Sequence, residues 1–134
     1  MESRSILVVD DDAPLRNFVK LALEKQGYRV ASADDGRHAS EVMGREKFDA
    51  VITDLLMPEC DGIELITQVR RRFPGMRIIA MSGGGRIARE QYLRLAKGIG
   101  AHVLLEKPFM PLELFAAVDS VFAPPEPPAG VAPA

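Results

Sequence analysis

The sequence is poor in the residues that form covalent cross-links and zinc sites. It has one cysteine, two histidines and no tryptophan among its 134 residues. A single cysteine, Cys60, excludes an internal disulfide and any metal site built from a cysteine cluster. We therefore expect a protein of the reducing cytoplasm, in which Cys60 is an ordinary loop residue.

The sequence also lacks a charge excess and a long apolar stretch. Its 17 basic and 19 acidic residues give a net charge of −2, without the basic excess that is typical of nucleic-acid-binding domains. No apolar run is long enough to cross a bilayer. Residues 1–5 include an acid and precede only four apolar residues, so no signal peptide is expected. We thus expect no direct contact with nucleic acid or a membrane.

What the chain does have is an ordinary globular composition and a proline-rich end. Hydrophobic residues make up 47% and charged residues 27% of a length that suits one domain with a single core. Five of the ten prolines fall in residues 124–134, which therefore cannot form a helix or a strand ladder. We predict a domain over residues 1–123 and an extended tail or linker over residues 124–134.

Short apolar runs alternate with amphipathic stretches along the domain. The runs predict strands at residues 6–9, 30–32, 50–53, 78–81 and 103–105. Helical spacing of apolar residues predicts a helix after each strand, at residues 14–26, 39–43, 62–72, 88–99 and 111–122. Ser82 and the three glycines after it, residues 83–85, are predicted to form a flexible connection.

This alternation predicts an α/β fold with a parallel sheet and right-handed crossovers. The second strand is mixed in polarity and is placed at an edge, which gives the strand order 2-1-3-4-5 of flavodoxin-like proteins. In that order the carboxyl ends of the first and third strands are adjacent. Open α/β sheets bind their ligands at this point.

Polar residues follow the predicted strands at this same edge. Asp10 and Asp11 follow the first strand, Asp54 the third, Ser82 the fourth and Lys107 the fifth after Glu106. Taken singly, Asp54 fits a turn residue, Lys107 a surface lysine and Ser82 a loop hydroxyl. Taken together, crowded carboxylates call for a cation, and oxygen ligands suit Mg²⁺. We predict that Asp54 accepts a phosphoryl group whose oxygens contact Lys107 and Ser82.

Five short motifs carry a family resemblance. They are Ile6-Leu-Val-Val-Asp10-Asp11-Asp12, Asp54-Leu-Leu-Met-Pro58-Glu-Cys-Asp61-Gly62, Met81-Ser82-Gly83, Gly100-Ala101 and Lys107-Pro108-Phe109. With these motifs in this order between residues 5 and about 122, the chain resembles the receiver domain of two-component response regulators.

The resemblance implies a role for each residue of the site. Asp54 would receive its phosphoryl group from a sensor histidine kinase or a histidine phosphotransfer protein. Asp11 and Asp54 would bind Mg²⁺ directly, Asp10 mainly through water, and the backbone carbonyl of Leu56 would be a further ligand. Lys107 would hold the phosphate. The domain would not be an enzyme beyond catalysing its own phosphorylation and dephosphorylation.

The resemblance also implies a switch and a docking surface. Ser82 would move to bond the phosphoryl group. From the backbone freedom of the three glycines at residues 83–85, we predict that ordering of this connection, beginning at Gly83, carries the signal to an unidentified downstream protein. Leu104 stands where many relatives have an aromatic residue that rotates inward. The phosphodonor would dock on residues beside the acidic edge, namely Leu15, Phe18, Pro108 and Phe109.

Other functional classes remain open at this point. The chain also fits the N-terminal receiver of a longer regulator with a DNA-binding or enzymatic output domain, joined through the proline-rich segment. A phosphatase of the haloacid-dehalogenase type would have a second aspartate two residues after its nucleophile, where Leu56 stands. A nucleotide-binding enzyme would have a glycine-rich first loop, whereas Asp10, Asp11 and Asp12 would repel its phosphates.

Overall fold

A five-stranded parallel sheet forms the centre of the fold. The computed structural model describes residues 4–55, 62–83, 94, 98 and 100–123. Its strands are β1 (Ser5–Val9), β2 (Arg29–Ala33), β3 (Ala50–Asp54), β4 (Arg77–Gly83) and β5 (Val103–Lys107). Its helices in these ranges are α1 (Ala13–Lys25), α2 (Gly36–Arg45), α3 (Gly62–Arg72) and α4 (Pro111–Phe122). None of the described helices is long and apolar enough to span a membrane.

The strands are hydrogen-bonded in the order β2-β1-β3-β4-β5, and every pair is parallel. The predicted flavodoxin-like order and the edge position of β2 are confirmed. Because side chains alternate along a strand, the central strands supply two cores. Leu7 and Val51 pack with α2 and α3 on one face, while Val8 and Ile52 pack with α1 and α4 on the other. Helices on both faces explain why β1 and β3 read as continuous apolar runs.

The turn from β1 into α1 follows the signals in the sequence. The carboxylate of Asp12 caps the helix by accepting a hydrogen bond from the backbone N–H of Leu15 at 3.4 Å. Pro14 lies in the first turn, where its missing N–H costs no hydrogen bond. Gly27 follows the helix with a φ of 95°, a left-handed conformation that glycine adopts without strain.

The second half of the chain departs from the prediction at the end of β4. The flexible connection predicted from Ser82 onward is wrong for its first two residues, because Ser82 and Gly83 belong to β4 and pair with Glu106 and Lys107. The strand continues there because β5 also extends beyond its apolar run. The predicted helix at residues 88–99 falls mainly outside the described residues, of which 94 and 98 are helical. The predicted tail, residues 124–134, lies outside them as well.

Candidate functional site

The carboxyl edge of the sheet collects the polar residues that the sequence predicts there. Asp10 directly follows β1 and is fully buried, whereas Asp54 is the last residue of β3 and is 7% exposed. Lys107 is the last residue of β5. Ser82 is buried in β4, one residue beyond the residue that pairs with Asp54. Leu56 lies outside the described residues.

Three carboxylates converge at this edge. One oxygen from each of Asp10, Asp11 and Asp54 lies within 4.8 Å of the others. Asp11 is exposed, while the other two are buried, so the group is accessible to solvent at Asp11. Such an acidic cluster can hold a metal ion, and oxygen-only donors fit a hard cation such as Mg²⁺ better than zinc.

Lys107 joins two of these carboxylates. Its Nζ lies 2.8 Å from Oδ2 of Asp10 and 3.3 Å from Oδ2 of Asp54. Burial of the ammonium group opposes its charge, but the hydrogen bond to Asp10 and the charges of Asp54 and Asp10 outweigh burial and raise the pKa of Lys107. Lys107 is therefore protonated throughout the physiological range and places one positive charge among the acids.

Backbone and side-chain contacts fix Asp10 more tightly than the sequence suggested. Its Oδ1 accepts a hydrogen bond from the backbone N–H of Asp12 at 2.9 Å. The guanidinium of Arg16 donates to the Asp10 carbonyl oxygen at 2.7 Å. Arg16 lies one helical turn into α1. Nothing in the sequence pattern of α1 indicates that its side chain bonds the Asp10 carbonyl. The buried carboxylate is thus held by Lys107 and by the turn that begins α1.

The predicted switch residues lie on the neighbouring strands. Gly83 ends β4 and pairs with Lys107, so the backbone next to Ser82 is directly linked to the lysine strand. Leu104 is partly buried in β5 and packs against the core on the α2 and α3 face. Its side chain fills space there and, unlike an aromatic hydroxyl, offers no polar tip.

An apolar cleft of about 520 Å³ lies beside the acidic edge, between α1 and the segment after β5. Leu15 and Phe18, two of the predicted docking residues, are partly exposed in it, and Pro108 is exposed. Phe109 is mostly buried, and its ring lies 6.2 Å from that of Phe18. The Lys107–Pro108 peptide bond is cis. The cleft therefore connects directly to the lysine that contacts the two carboxylates.

Comparison with known proteins identifies the family of this chain. The family model for the response regulator receiver domain matches residues 6–119. The chain belongs to the response regulator receiver family. Receiver domains are phosphorylation-dependent signalling domains of two-component systems and in general not enzymes, and their family implies phosphodonor kinases as partners.

Individual relatives agree with this assignment. The chain is 39% identical over 85 residues to the receiver protein CpdR of Brucella abortus, covering 63% of this chain and 71% of CpdR. It is 40% identical over 82 residues to the transcriptional regulatory protein GlrR of Escherichia coli, covering 61% of this chain and 18% of GlrR. The chain spans less than half the length of several such relatives.

Solved structures show the same fold. The chemotaxis protein CheY4 of Vibrio cholerae superposes with a TM-score of 0.82 at 30% identity, covering 90% of this chain and 99% of that one. The predicted receiver resemblance is therefore confirmed at the level of sequence family and of fold.

Proposed function

We propose that Asp54 is the phosphoacceptor of this receiver domain, with Asp10 and Asp11 as the metal-binding acids and Lys107 as the phosphate-holding cation. The observation that carries the proposal is the position of the Asp54 carboxylate. It lies at the end of a central strand, within 4.8 Å of two other acids and 3.3 Å from the lysine ammonium. A carboxylate in that setting combines a nucleophilic oxygen with positive charge where phosphoryl oxygens gather.

The reaction is a transfer from nitrogen to oxygen. An oxygen of the Asp54 carboxylate attacks the phosphorus of a phosphohistidine on a sensor histidine kinase or a histidine phosphotransfer protein. The new P–O bond forms as the P–N bond breaks, and the imidazole nitrogen keeps the bonding electron pair. The donor ring is protonated on its other nitrogen, so it leaves as neutral imidazole. Lys107 exchanges its contact with Asp54 for one with a phosphoryl oxygen, and Ser82 donates its hydroxyl proton in a hydrogen bond to another. Hydrolysis of the acyl phosphate restores the carboxylate.

The donor set fits Mg²⁺ as the cofactor. Asp11 and Asp54 would hold the ion directly and Asp10 mainly through water, with the Leu56 carbonyl as a further ligand. Bound Mg²⁺ supplies positive charge that neutralises phosphoryl oxygens as they approach the carboxylates. Asp10 is already engaged by Lys107 at 2.8 Å, which agrees with an indirect rather than a direct role.

The phosphodonor would dock in the apolar cleft, and the conformational change would begin at the ends of β4 and β5. The cleft offers an apolar docking surface that also includes Lys107. Its apolar residues are Leu15, Phe18, Pro108 and Phe109. Phosphorylation then draws Ser82 and the adjoining Gly83 toward the new dianion, while Leu104 fills the space behind the moving hydroxyl. The altered surface binds a downstream protein. A reducing cytoplasm is the compartment in which such donors operate.

The test is chemical labelling of purified protein. With Mg²⁺ and acetyl phosphate, the native chain should gain one phosphoryl group that hydroxylamine removes, and Asp54→Asn should gain none. Asp35→Asn is the matched control, because Asp35 is a partly exposed cap of α2 whose capping role asparagine keeps. Full labelling of Asp54→Asn would place the acceptor elsewhere.

A second candidate concerns the whole polypeptide. GlrR is a transcriptional regulatory protein of which this chain covers 18%. In this alternative the domain is the receiver of a longer regulator with a DNA-binding or enzymatic output domain. The encoding reading frame distinguishes the two: an open frame that continues past residue 134 into a second domain favours the longer regulator.

A further inference from the structure

Thr53 is a buried hydroxyl in an otherwise apolar run. It is fully buried, as are Ala50, Val51 and Ile52 before it. Valine has nearly the same shape without a polar atom, and burying a hydroxyl is unfavourable unless it is hydrogen-bonded. The partner of this hydroxyl therefore indicates what the threonine contributes.

The partner is the backbone of the phosphoacceptor itself. Oγ1 of Thr53 donates a hydrogen bond to the carbonyl oxygen of Asp54 at 3.0 Å. On one side of β3 the ladder with β1 ends at the pair Val9 and Thr53, whereas on the other side it continues to Asp54 and Met81. The hydroxyl thus reaches the first carbonyl beyond the end of the β1 ladder.

The peptide unit after Asp54 is held at both of its polar ends. Its oxygen accepts the Thr53 hydroxyl, and its N–H, that of Leu55, donates to the Met81 carbonyl at 3.0 Å. Gly62 packs so closely on the same carbonyl that a Cβ there would lie 2.7 Å from its carbon atom and overlap its oxygen. Because the peptide unit is planar, fixing these atoms fixes ψ of Asp54.

The backbone angle in turn limits the direction of the carboxylate. Allowed side-chain rotamers depend on φ and ψ, so a rotated peptide unit would move both Asp54 oxygens. Those oxygens are defined by their distances to Lys107 and to the acids at positions 10 and 11. A displacement of about 1 Å in a reacting group lowers a rate by up to about a hundredfold.

We propose that Thr53 is a positioning residue for phosphoryl transfer, which acts by holding the Asp54 carbonyl and thereby the direction of the acceptor carboxylate. The proposal rests on Asp54 being the phosphoacceptor. Because Thr53 is fully buried and its hydroxyl is bonded to the Asp54 carbonyl, we expect its effect on the rate of transfer and not on donor binding.

Two substitutions separate the hydroxyl from the volume of the side chain. Thr53→Val removes the hydroxyl at constant shape, and Thr53→Ser keeps it. Initial rates are measured over a range of acetyl phosphate concentrations in saturating Mg²⁺, with the thermal midpoint of each variant determined in parallel. We expect the maximal rate of Thr53→Val to fall about tenfold, consistent with loss of one buried hydrogen bond, while the half-saturating donor concentration stays within about twofold.

Rescue by serine distinguishes positioning from packing. Thr53→Ser should keep the maximal rate within about threefold of the native value, even if the lost methyl group lowers its thermal midpoint. A purely structural role would lower the midpoint of Thr53→Val and leave the maximal rate of the folded protein unchanged, which would overturn the proposal. If Thr53→Val is unfolded, Thr53→Ala is compared with Thr53→Ser, and equal rates for those two would also overturn it.

A parallel assay of Asp54→Asn keeps this proposal distinct from the acceptor assignment. Labelling of Asp54→Asn at the native level would refute Asp54 as the acceptor. No labelling of Asp54→Asn together with native rates in Thr53→Val would refute only the role of Thr53.

Discussion

Lys107 places one positive charge among three carboxylates, at 2.8 Å from Asp10 and 3.3 Å from Asp54. One cation leaves the group with a net negative charge, and the exposed carboxylate of Asp11 faces solvent. The negatively charged carboxylates repel one another, which destabilises the fold when no metal ion is bound. The same charges attract a further cation. The site is therefore expected to gain stability from Mg²⁺ even though a lysine already occupies part of it.

The metal prediction concerns Asp11. Mg²⁺ at about 100 times its Kd should add roughly 2.7 kcal/mol to the free energy of unfolding and raise the thermal midpoint. Asp11→Asn should remove most of that rise, because it takes away the solvent-facing charged ligand. Calorimetry with and without millimolar Mg²⁺ measures the effect, with Asp35→Asn as the control. An undiminished rise in Asp11→Asn would locate the ion at a different site.

Gly62 provides a second prediction at this scale. Gly62→Ala should lower the free energy of unfolding by about 3 kcal/mol, because overpacking a tight backbone contact forces the chain to shift. A Cβ added at Gly62 would overlap the Asp54 carbonyl and lie 2.7 Å from the Cα of Leu55.

The same substitution at Gly75 is the matched control, because a Cβ there meets nothing within 4 Å. Gly75→Ala should change stability by no more than about 0.5 kcal/mol. Urea unfolding of both variants measures the difference. Equal stabilities would mean that the backbone at Gly62 shifts without cost in free energy.

Between elements, His102 links the start of β5 to β4. Its backbone N–H donates to the Ile78 carbonyl at 2.8 Å, and its Nδ1 accepts the backbone N–H of Ile78 at 3.0 Å. The imidazole thus takes the place of a backbone carbonyl in extending the ladder by one bond. Partial burial, followed by the positive charges of Arg70 and Arg77, lowers the pKa of His102.

A pH dependence of stability follows from the lowered pKa. An unfolded histidine titrates near pH 6.5, so below that pH the unfolded chain binds more protons than the folded one. Stability is therefore present above about pH 6.5 and is lost as the pH falls through the lower pKa of the folded state. The urea midpoint should be lower at pH 5.5 than at pH 7, and His102→Gln should reduce this difference. His38→Gln, which changes the other histidine, should keep it.

The elements show how far the sequence alone can be used. Apolar runs and caps predicted β1, β3, α1 and the strand order, because the burial of a central strand leaves its mark on every residue of the run. The apolar run ends before Ser82, so the sequence does not predict the last two residues of β4. Their place in the strand comes from pairing with β5, and this pairing leaves no signal in the residues themselves. For the same reason the sequence predicts only that Thr53 ends a strand and that Gly62 begins a helix. Their roles arise from contacts with the Asp54 carbonyl that no local pattern records.

For the molecule as a whole, the described part of both cores extends from the first strand to the last helix. The buried apolar residues run from Ile6 in β1 to Val121 in α4, and the helices cover both faces of the sheet. Apart from proline and alanine, residues 124–134 contain only one apolar residue, Val131, so their removal takes little hydrophobic burial away. We expect the truncated chain to keep its thermal midpoint within about 2 °C and its rate of phosphorylation unchanged. Thermal unfolding and acetyl phosphate labelling of the truncated chain test this domain boundary. A drop of several degrees would extend the domain into the proline-rich segment.

The end of α4 lies at the pole of the molecule opposite the carboxylates. Arg77, at the start of β4, donates to the Val121 carbonyl at 3.0 Å, and the guanidinium of Arg4 lies 4.3 Å from the centre of the Phe122 ring. Both arginines mark the amino ends of parallel strands, so the last described residue, Ala123, lies at that pole. The proposed acceptor and the last described residue therefore lie at opposite ends of the sheet, separated by the length of the strands.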